Sequence, residues 1–340
     1  MSSLRTFLNT PLAVGSRTID ARVVLAPMAG LGHVAMRQVI ADFGLPGFLS
    51  MEMCNARAVP GENRHTSAVF RWQDTEQDRL VCQIFGGDPQ VMALAAARIE
   101  SEGLFGVDIN MGCSVSAICS KGYGAALLRD PERAVNIVRT VRRAVRCPVM
   151  VKFRTGWDNS SALAVDLAKR FEDAGADLLT FHPRVAPDRR SRPPRWEQIT
   201  DVVQAVSIPV LGNGDVRDAA SCARMVHETG CAGVAIGRMA IARPWIFGEL
   251  RGLYVPDESS FEQATLQLIA RIWEHFSPER AIKIYKKAVL YIAANFVFGH
   301  ALWPELTRGH DRLRMEENAR RILGVRPQVA STPNAFLLTS

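Results

Sequence analysis

The sequence predicts an α/β protein, a (β/α)8 TIM barrel followed by a smaller all-helical C-terminal domain. Three observations carry this expectation. Eight short apolar runs alternate with helix-like stretches over the first three quarters of the chain. Polar, chemically able residues stand at the end of nearly every run. Beyond Glu249 the strand-like runs stop and only amphipathic helical patterns continue. Continuous apolar strands separated by helices belong to a parallel sheet covered on both faces. Eight such units close into a barrel whose chemistry sits at the C-terminal strand ends. A doubly wound open sheet is the alternative, but it would gather its polar residues at one switch point.

The runs are Val23–Pro27, Phe48–Met51, Leu80–Phe85, Val107–Met111, Val149–Phe153, Leu178–Phe181, Val210–Gly212 and Val234–Ile236. Helical patterns between them cover Pro89–Glu100, Pro131–Val145, Ser161–Ala174 and Ala219–Thr229, and Gly103, Gly175 and Gly230 stand where three of them stop. Tyr254–Ser260 reads as a linker. Phe261–Phe276, Pro278–Phe298 and Asp311–Leu323 then read as amphipathic helices. The expected domains are residues 1–250 (catalytic barrel), 251–326 (helical) and 327–340, a Ser/Thr/Pro-containing tail expected to be loosely held.

Composition narrows the class. Of 340 residues, 48% are hydrophobic and 22% charged, as in ordinary soluble globular proteins. No apolar run approaches the roughly 18 residues of a membrane helix, and Met1-Ser-Ser-Leu-Arg5 has no signal-peptide apolar core. The seven cysteines are scattered, with no Cys-x-x-Cys pair, so neither a zinc site nor a disulfide framework is indicated. A reducing cytoplasm is the expected location. The net charge of +7 is compatible with a polyanionic partner. Its arginines crowd between Arg184 and Arg195, and Lys/Arg recur from Arg280 to Arg326.

The stretch around which the rest is organised is Val107-Asp-Ile-Asn-Met-Gly-Cys113 and the loop through Gly124. A strand delivers an amide and a thiol to its C-terminal tip, and glycines allow something bulky to approach the backbone. Cys113 there could be a nucleophile, a proton donor or packing. At the other tips, Ala26-Pro-Met-Ala-Gly30 exposes backbone that suits a flat ring, or is a plain βα turn. Gln83, inside an apolar strand, needs partners for its amide: a heterocycle edge or a neighbouring strand. Lys152 on an inward strand suits a Schiff base, an anion anchor or a cation facing developing negative charge. Arg154 reaches substrate or caps the rim, and His182 stands at the next tip. Gly212-Asn-Gly-Asp215 and Ile236-Gly-Arg238 follow strands seven and eight, where barrels hold a phosphate on backbone N–H groups, with Arg238 adding a charge.

Taken together these residues resemble the tRNA-dihydrouridine synthase family of FMN-dependent enzymes. The matching motifs are Leu-Ala-Pro-Met-Ala-Gly30, Gln83-Ile-Phe-Gly, Asp108-Ile-Asn-Met-Gly-Cys113, Gly122-Tyr-Gly-Ala-Ala-Leu-Leu128, Val151-Lys-Phe-Arg, Gly212-Asn-Gly-Asp and Ile236-Gly-Arg, in family order. The resemblance implies FMN across the barrel mouth: Pro27, Met28 and Ala29 at the ring system, Gln83 and Lys152 at its pyrimidine edge, and His182 close by. Asn213, Gly214, Asp215, Gly237 and Arg238 would hold ribityl and phosphate. Cys113 matches the proton donor, and Asn110 a residue contacting the target base. Two departures stand out. Ser114 follows the cysteine where the family has proline, and Pro-Arg-Val follows His182 where it has Gly-Arg-Thr.

The implied reaction reduces the uracil C5–C6 bond, with a hydride to C6 and a proton to C5. A thiol, with an ordinary pKa of about 8.5, is still protonated at neutral pH and can donate. NADPH or NADH would be the electron donor and tRNA the substrate, its uridine turned outward. Arg154 and Arg184 are expected at the substrate. Arg184, Arg189, Arg190, Arg192, Arg195, Lys283, Lys286 and Lys287 form the expected phosphate track. Neither a membrane association nor an obligate protein partner is indicated. The rival readings are a small-molecule FMN oxidoreductase of dihydroorotate-dehydrogenase type, a Schiff-base lyase using Lys152, and a binding protein that has lost catalysis.

Overall fold

The computed structural model describes residues 2–186, 188 and 192–339. They form two compact units: residues up to Pro27 together with Gly47–Ile236, and Met28–Pro46 together with the residues from Gly237 on.

The first unit is the barrel. Its strands are β1 (Val23–Leu25), β2 (Leu49–Ser50), β3 (Leu80–Phe85), β4 (Gly106–Met111), β5 (Val149–Gly156), β6 (Leu178–Val185), β7 (Val210–Asn213) and β8 (Gly233–Ile236). They pair in parallel in the order β1-β8-β7-β6-β5-β4-β3-β2. Two backbone bonds close the ring between the ends of that path, Gly47 N to Val23 O at 2.9 Å and Leu25 N to Phe48 O at 3.1 Å. Inward positions at the strand starts are apolar: Val24, Val81, Met150, Leu178 and Leu211 share one buried cluster. An antiparallel hairpin, Leu12–Val14 with Arg17–Ile19, adds Leu12, Val14 and Ile19 to that cluster. Side chains alternate along a strand. Two positions onward, the same faces therefore carry Gln83, Lys152, Thr180 and Asn213, and the polar mouth follows from the period of the strand.

Strand β6 runs past the expected Phe181 and carries His182 and Arg184 within it. Pro183 lacks an N–H for the ladder, and the register with β5 shifts between Arg154 and Gly156, opposite this stretch. Between strands lie the helices Pro89–Ser101, Pro131–Ala144, Ala162–Asp173, Glu197–Ala205 and Ala219–Thr229. Asp88, Asp130 and Asp218 cap three of them with side-chain oxygens, and Pro89 and Pro131 fill first-turn positions that need no N–H.

The second unit is helical: Val34–Phe43, Ser260–His275, Pro278–Ala293, Gly299–Leu306 and Arg312–Leu323 are its longer helices. Buried Asn295 ties it together, donating to Ala242 O at 2.9 Å and accepting from Arg243 Nε at 2.7 Å. The segment after Arg326, where the sequence suggests little order, is held by backbone bonds from Val297 N to Gln328 O, Ala330 N to Asn295 O and Asn334 N to Ala294 O. Leu337 and Leu338 are buried there. No helix among the described residues is long and apolar enough to cross a membrane.

His33 caps the helix Val34–Phe43, its Nδ1 accepting from Met36 N at 3.2 Å, while its buried Nε2 has no hydrogen-bond partner among the described residues. Burial first, and then Arg37, His275, Arg280 and Lys287, push its pKa down to about 3. The unfolded chain binds this proton from about pH 6.5 downward and the folded chain does not. Its stabilising contribution is therefore full above pH 6.5 and falls away toward pH 3. His33→Asn keeps a cap acceptor. It is expected to cut the stability lost between pH 7 and pH 4.5 by about 2 kcal/mol, read from urea midpoints. Equal losses in both proteins would show that His33 is not the acid-labile group.

Candidate active site

The barrel register decides which polar residues meet. Gln83 stands opposite Asp108, Asn110 opposite Lys152, Lys152 opposite Thr180, and Arg154 opposite His182. Behind the mouth a buried chain of hydrogen bonds runs across β3 and β4. Gln83 Nε2 donates to Asp108 Oδ2 at 2.6 Å, and Asn110 Nδ2 donates to Gln83 Oε1 at 2.7 Å. Asn110 Oδ1 accepts from the backbone N–H of Gly112 at 3.2 Å and of Cys113 at 3.0 Å. The second amide hydrogen of Asn110 has only a weak contact, to Met53 Sδ at 3.6 Å. Asp108 Oδ1 is buried without a hydrogen-bond partner among the described residues. Burial pushes the Asp108 carboxyl up to about 7, against the hydrogen bond from Gln83 and the charge of Lys152.

Cys113 is half-buried. Its backbone is pinned on both sides: the N–H on Asn110, and the carbonyl accepting from Ala125 N at 2.9 Å and from Cys119 Sγ at 3.3 Å. Gly124 lies on top of this turn at φ +60°, and a Cβ there would come within 2.6 Å of Cys113 O. Only glycine satisfies both the backbone angle and the approach. On the opposite side Arg154 Nε donates to Gly112 O at 2.6 Å. Arg154 thus braces the turn that presents the thiol.

Lys152 has no hydrogen-bond or ion-pair partner among the described residues, although it stands between Asn110 and Thr180. Burial first, and then Arg154, lower its pKa to about 8, while Asp108 and Cys113 pull the other way. His182 uses both ring nitrogens. Arg184 Nη1 can only donate, so Nε2 at 3.2 Å accepts, and Nδ1 carries the proton given to Asn213 O at 3.1 Å. Arg184, expected at the substrate and on the phosphate track, is only 2% exposed and pairs with Asp215 Oδ2 at 2.9 Å. Asp215 adopts φ +55°, following Gly214 at φ +129°. Asn213 Nδ2 donates to Ala235 O at 2.7 Å and fastens β7 to β8.

Pro27 follows β1. In the second unit, Met28 and Ala29 open its first segment, where Lys287 Nζ donates to Ala29 O at 3.0 Å. Gly237 precedes the short helix Arg238–Ala242. Of the basic loop, Arg192 and Arg195 both bond the buried carboxylate of Asp188, at 2.9 and 3.0 Å. Arg189 and Arg190 lie outside the described residues. Lys283 and Lys287 are exposed.

Sequence reasoning gave Asp108 no role. It lines a small cavity under the mouth with Ser50 and Thr180 above apolar Val81 and Met150. The signal was available, because an aspartate inside an apolar strand is almost never buried without a function for its oxygens. Among the described residues no group of three or more His, Cys, Asp or Glu could hold a metal ion.

The fold and mouth define a (β/α)8-barrel enzyme that presents a pinned thiol and an unpartnered ammonium from adjacent strands. A family model for dihydrouridine synthases matches residues 24–322, and the chain belongs to that family. It is 35% identical over 283 residues to tRNA-dihydrouridine synthase B of Pseudomonas aeruginosa, covering 81% of this chain and 85% of that protein. It is 31% identical over 326 residues to the synthase B of Pseudomonas putida, covering 94% and 96%. The fold also resembles the old yellow enzyme from Trypanosoma cruzi, with a TM-score of 0.53 at 12% identity over 74% of this chain and 93% of that one.

Proposed function

We propose that this protein reduces the C5–C6 bond of uridines in tRNA to 5,6-dihydrouridine, with bound FMN and with NADPH or NADH as electron donor. The observation that carries the proposal is the half-buried Cys113 on a glycine-framed turn beside the unpartnered Lys152, in a chain of this family.

The residues at the mouth fit a flavin in one specific respect: they leave polar capacity unused. Lys152 Nζ has no partner among the described residues, and the amide of Gln83 keeps one N–H and one lone pair beyond its two bonds there. Gln83 and Lys152 would hold the ring's polar edge, with His182 close by and Pro27, Met28 and Ala29 against its plane. Asn213, Gly214, Asp215, Gly237 and Arg238 would hold ribityl and phosphate. The Asp215 carboxylate already serves Arg184, so its backbone N–H is the group suited to an anion. When bound, reduced FMN supplies the hydride for C6.

The chain's own residues do the rest. Cys113 gives its S–H proton to C5, and the thiolate left behind regains a proton from solvent. The Lys152 ammonium offsets negative charge nearby. Asn110 would meet the base through the hydrogen now against Met53, since its other amide hydrogen goes to Gln83 and its oxygen holds the turn. Arg154 and Arg184 act on substrate through the segments they brace. Exposed Arg192, Lys283 and Lys287, with Arg195 and Lys286, would contact phosphates. The seven cysteines are all free, in keeping with a cytoplasmic enzyme.

The test is to incubate the purified yellow protein with unmodified tRNA and NADPH and to map dihydrouridine, with RNA from cells lacking the gene as the converse. NADPH oxidation indifferent to tRNA would favour a small-molecule oxidoreductase. With about five phosphate contacts, tRNA affinity is expected to fall about 10²–10³-fold between 50 and 200 mM salt. A flat salt response would remove the basic residues from RNA binding.

A further inference from the structure

The buried chain behind Cys113 has one self-consistent polarity, and both ends impose it. At the thiol end, the N–H groups of Gly112 and Cys113 can only donate, so Asn110 must turn its oxygen to them. Its NH2 then faces Gln83, which must answer with its oxygen. The Gln83 NH2 is thereby directed to the far end, where Asp108 Oδ2 accepts at 2.6 Å. An ionised carboxylate offers no donor. A carboxyl protonated on the unpartnered Oδ1 still accepts at Oδ2, so the chain survives both states.

Asp108 is a costly residue to keep. No ion-pair partner lies on it among the described residues, one oxygen is orphaned, and a buried carboxyl in an apolar strand is dearer than leucine. Besides the negative charge it sets near Lys152, its effect lies in what it orients. Without an acceptor at position 108, the Gln83 NH2 loses its bond, and only the bond from Asn110 still favours its present orientation. Were it to flip, its NH2 would face the NH2 of Asn110, and an Asn110 that flipped in response would turn its own NH2 against the Cys113 N–H. The turn would then keep only the Arg154 bond to Gly112 O and the bonds to Cys113 O, and its N–H side would be unheld.

We propose that Asp108 is a positioning residue for Cys113, acting through Gln83 and Asn110 to fix the turn that aims the thiol. For its kinetic readout this inference rests on Cys113 being the proton donor. Its chemical readout does not.

The test compares Asp108→Leu, Asp108→Asn, Gln83→Leu and Asn110→Ala in the full chain. The first readout is the rate at which iodoacetamide alkylates Cys113, followed by peptide mass spectrometry. The second is kcat and KM for tRNA. Asp108→Leu and Gln83→Leu are each expected to speed alkylation about fivefold and to lower kcat about tenfold, with KM for tRNA within about twofold. Asp108→Asn keeps an oxygen acceptor and is expected to stay within about threefold of wild type in both readouts. Rescue by asparagine separates orientation from simple filling of space. If Asp108→Leu does not fold, the alkylation rate of Gln83→Leu carries the expectation, since its kcat also reflects the flavin edge that Gln83 would hold. Wild-type alkylation in Asp108→Leu and Gln83→Leu alongside faster alkylation in Asn110→Ala would end the relay at Asn110 and overturn the proposal. If even the wild type reduces no uridine, the functional reading fails while alkylation still decides the relay.

Discussion

Cys113→Ala is expected to lower turnover at least about 10³-fold while leaving FMN and tRNA affinity within about twofold of wild type. The separation is possible because the turn does not depend on the sulfur. The Cys113 N–H bonds Asn110, and its carbonyl accepts from Ala125 and Cys119. Alanine keeps all three of these bonds and removes only the S–H. The effect should therefore appear in the chemical step, as slow single-turnover formation of dihydrouridine on RNA that binds normally. Cys119→Ala is the matched control, since it removes a half-buried thiol from the same loop. It is expected to stay within about threefold of wild type, the loss of one weak bond to Cys113 O. Full turnover in Cys113→Ala would pass the donor role to Cys119 or to water.

The barrel was legible because each strand carries its own label. Val149-Met-Val-Lys and Leu80-Val-Cys-Gln pass from apolar to polar at alternate positions, and this is how a closed barrel looks from inside. Cys113, Lys152 and Asn213 were found at the strand tips for the same reason. What stayed hidden depends on partners far along the chain. Arg184 reads as one basic residue of a cluster, and only the fold shows Asp215 and His182 taking its guanidinium. Gln83 left its partner undecided between a heterocycle and a neighbouring strand. The register with β4 supplies Asp108 and Asn110, with capacity to spare. Strand β6 runs on beyond the apolar stretch that ends at Phe181, into polar residues that carry no apolar signal, and the register shift opposite it admits Pro183. The helix Glu197–Ala205 and the hairpin beginning at Leu12 are too short to show a clear period.

Lys152→Met is expected to make the protein more stable and less able to work, and the opposition of the two effects is diagnostic of a functional site. The unfolded chain keeps the lysine proton up to about pH 10.5 and the folded chain only to about 8. Wild-type stability should accordingly rise with pH between those values, because the unfolded state binds the extra proton there. Methionine removes this slope, and below pH 8 it removes the cost of holding a partly buried ammonium. That gain is about 1–2 kcal/mol once partial exposure is allowed for. Function should move the other way. With no cation for the flavin's polar edge, FMN affinity is expected to drop about 10–100-fold, read by fluorescence titration of the apoprotein. In the wild type, kcat/KM is expected to fall as pH rises through about 8, when the ammonium loses its proton. Lys152→Arg should move that limb upward, since a guanidinium stays charged. A Lys152→Met protein with wild-type stability, FMN affinity and pH profile would make Lys152 an ordinary rim charge and leave the thiol without its electrostatic partner.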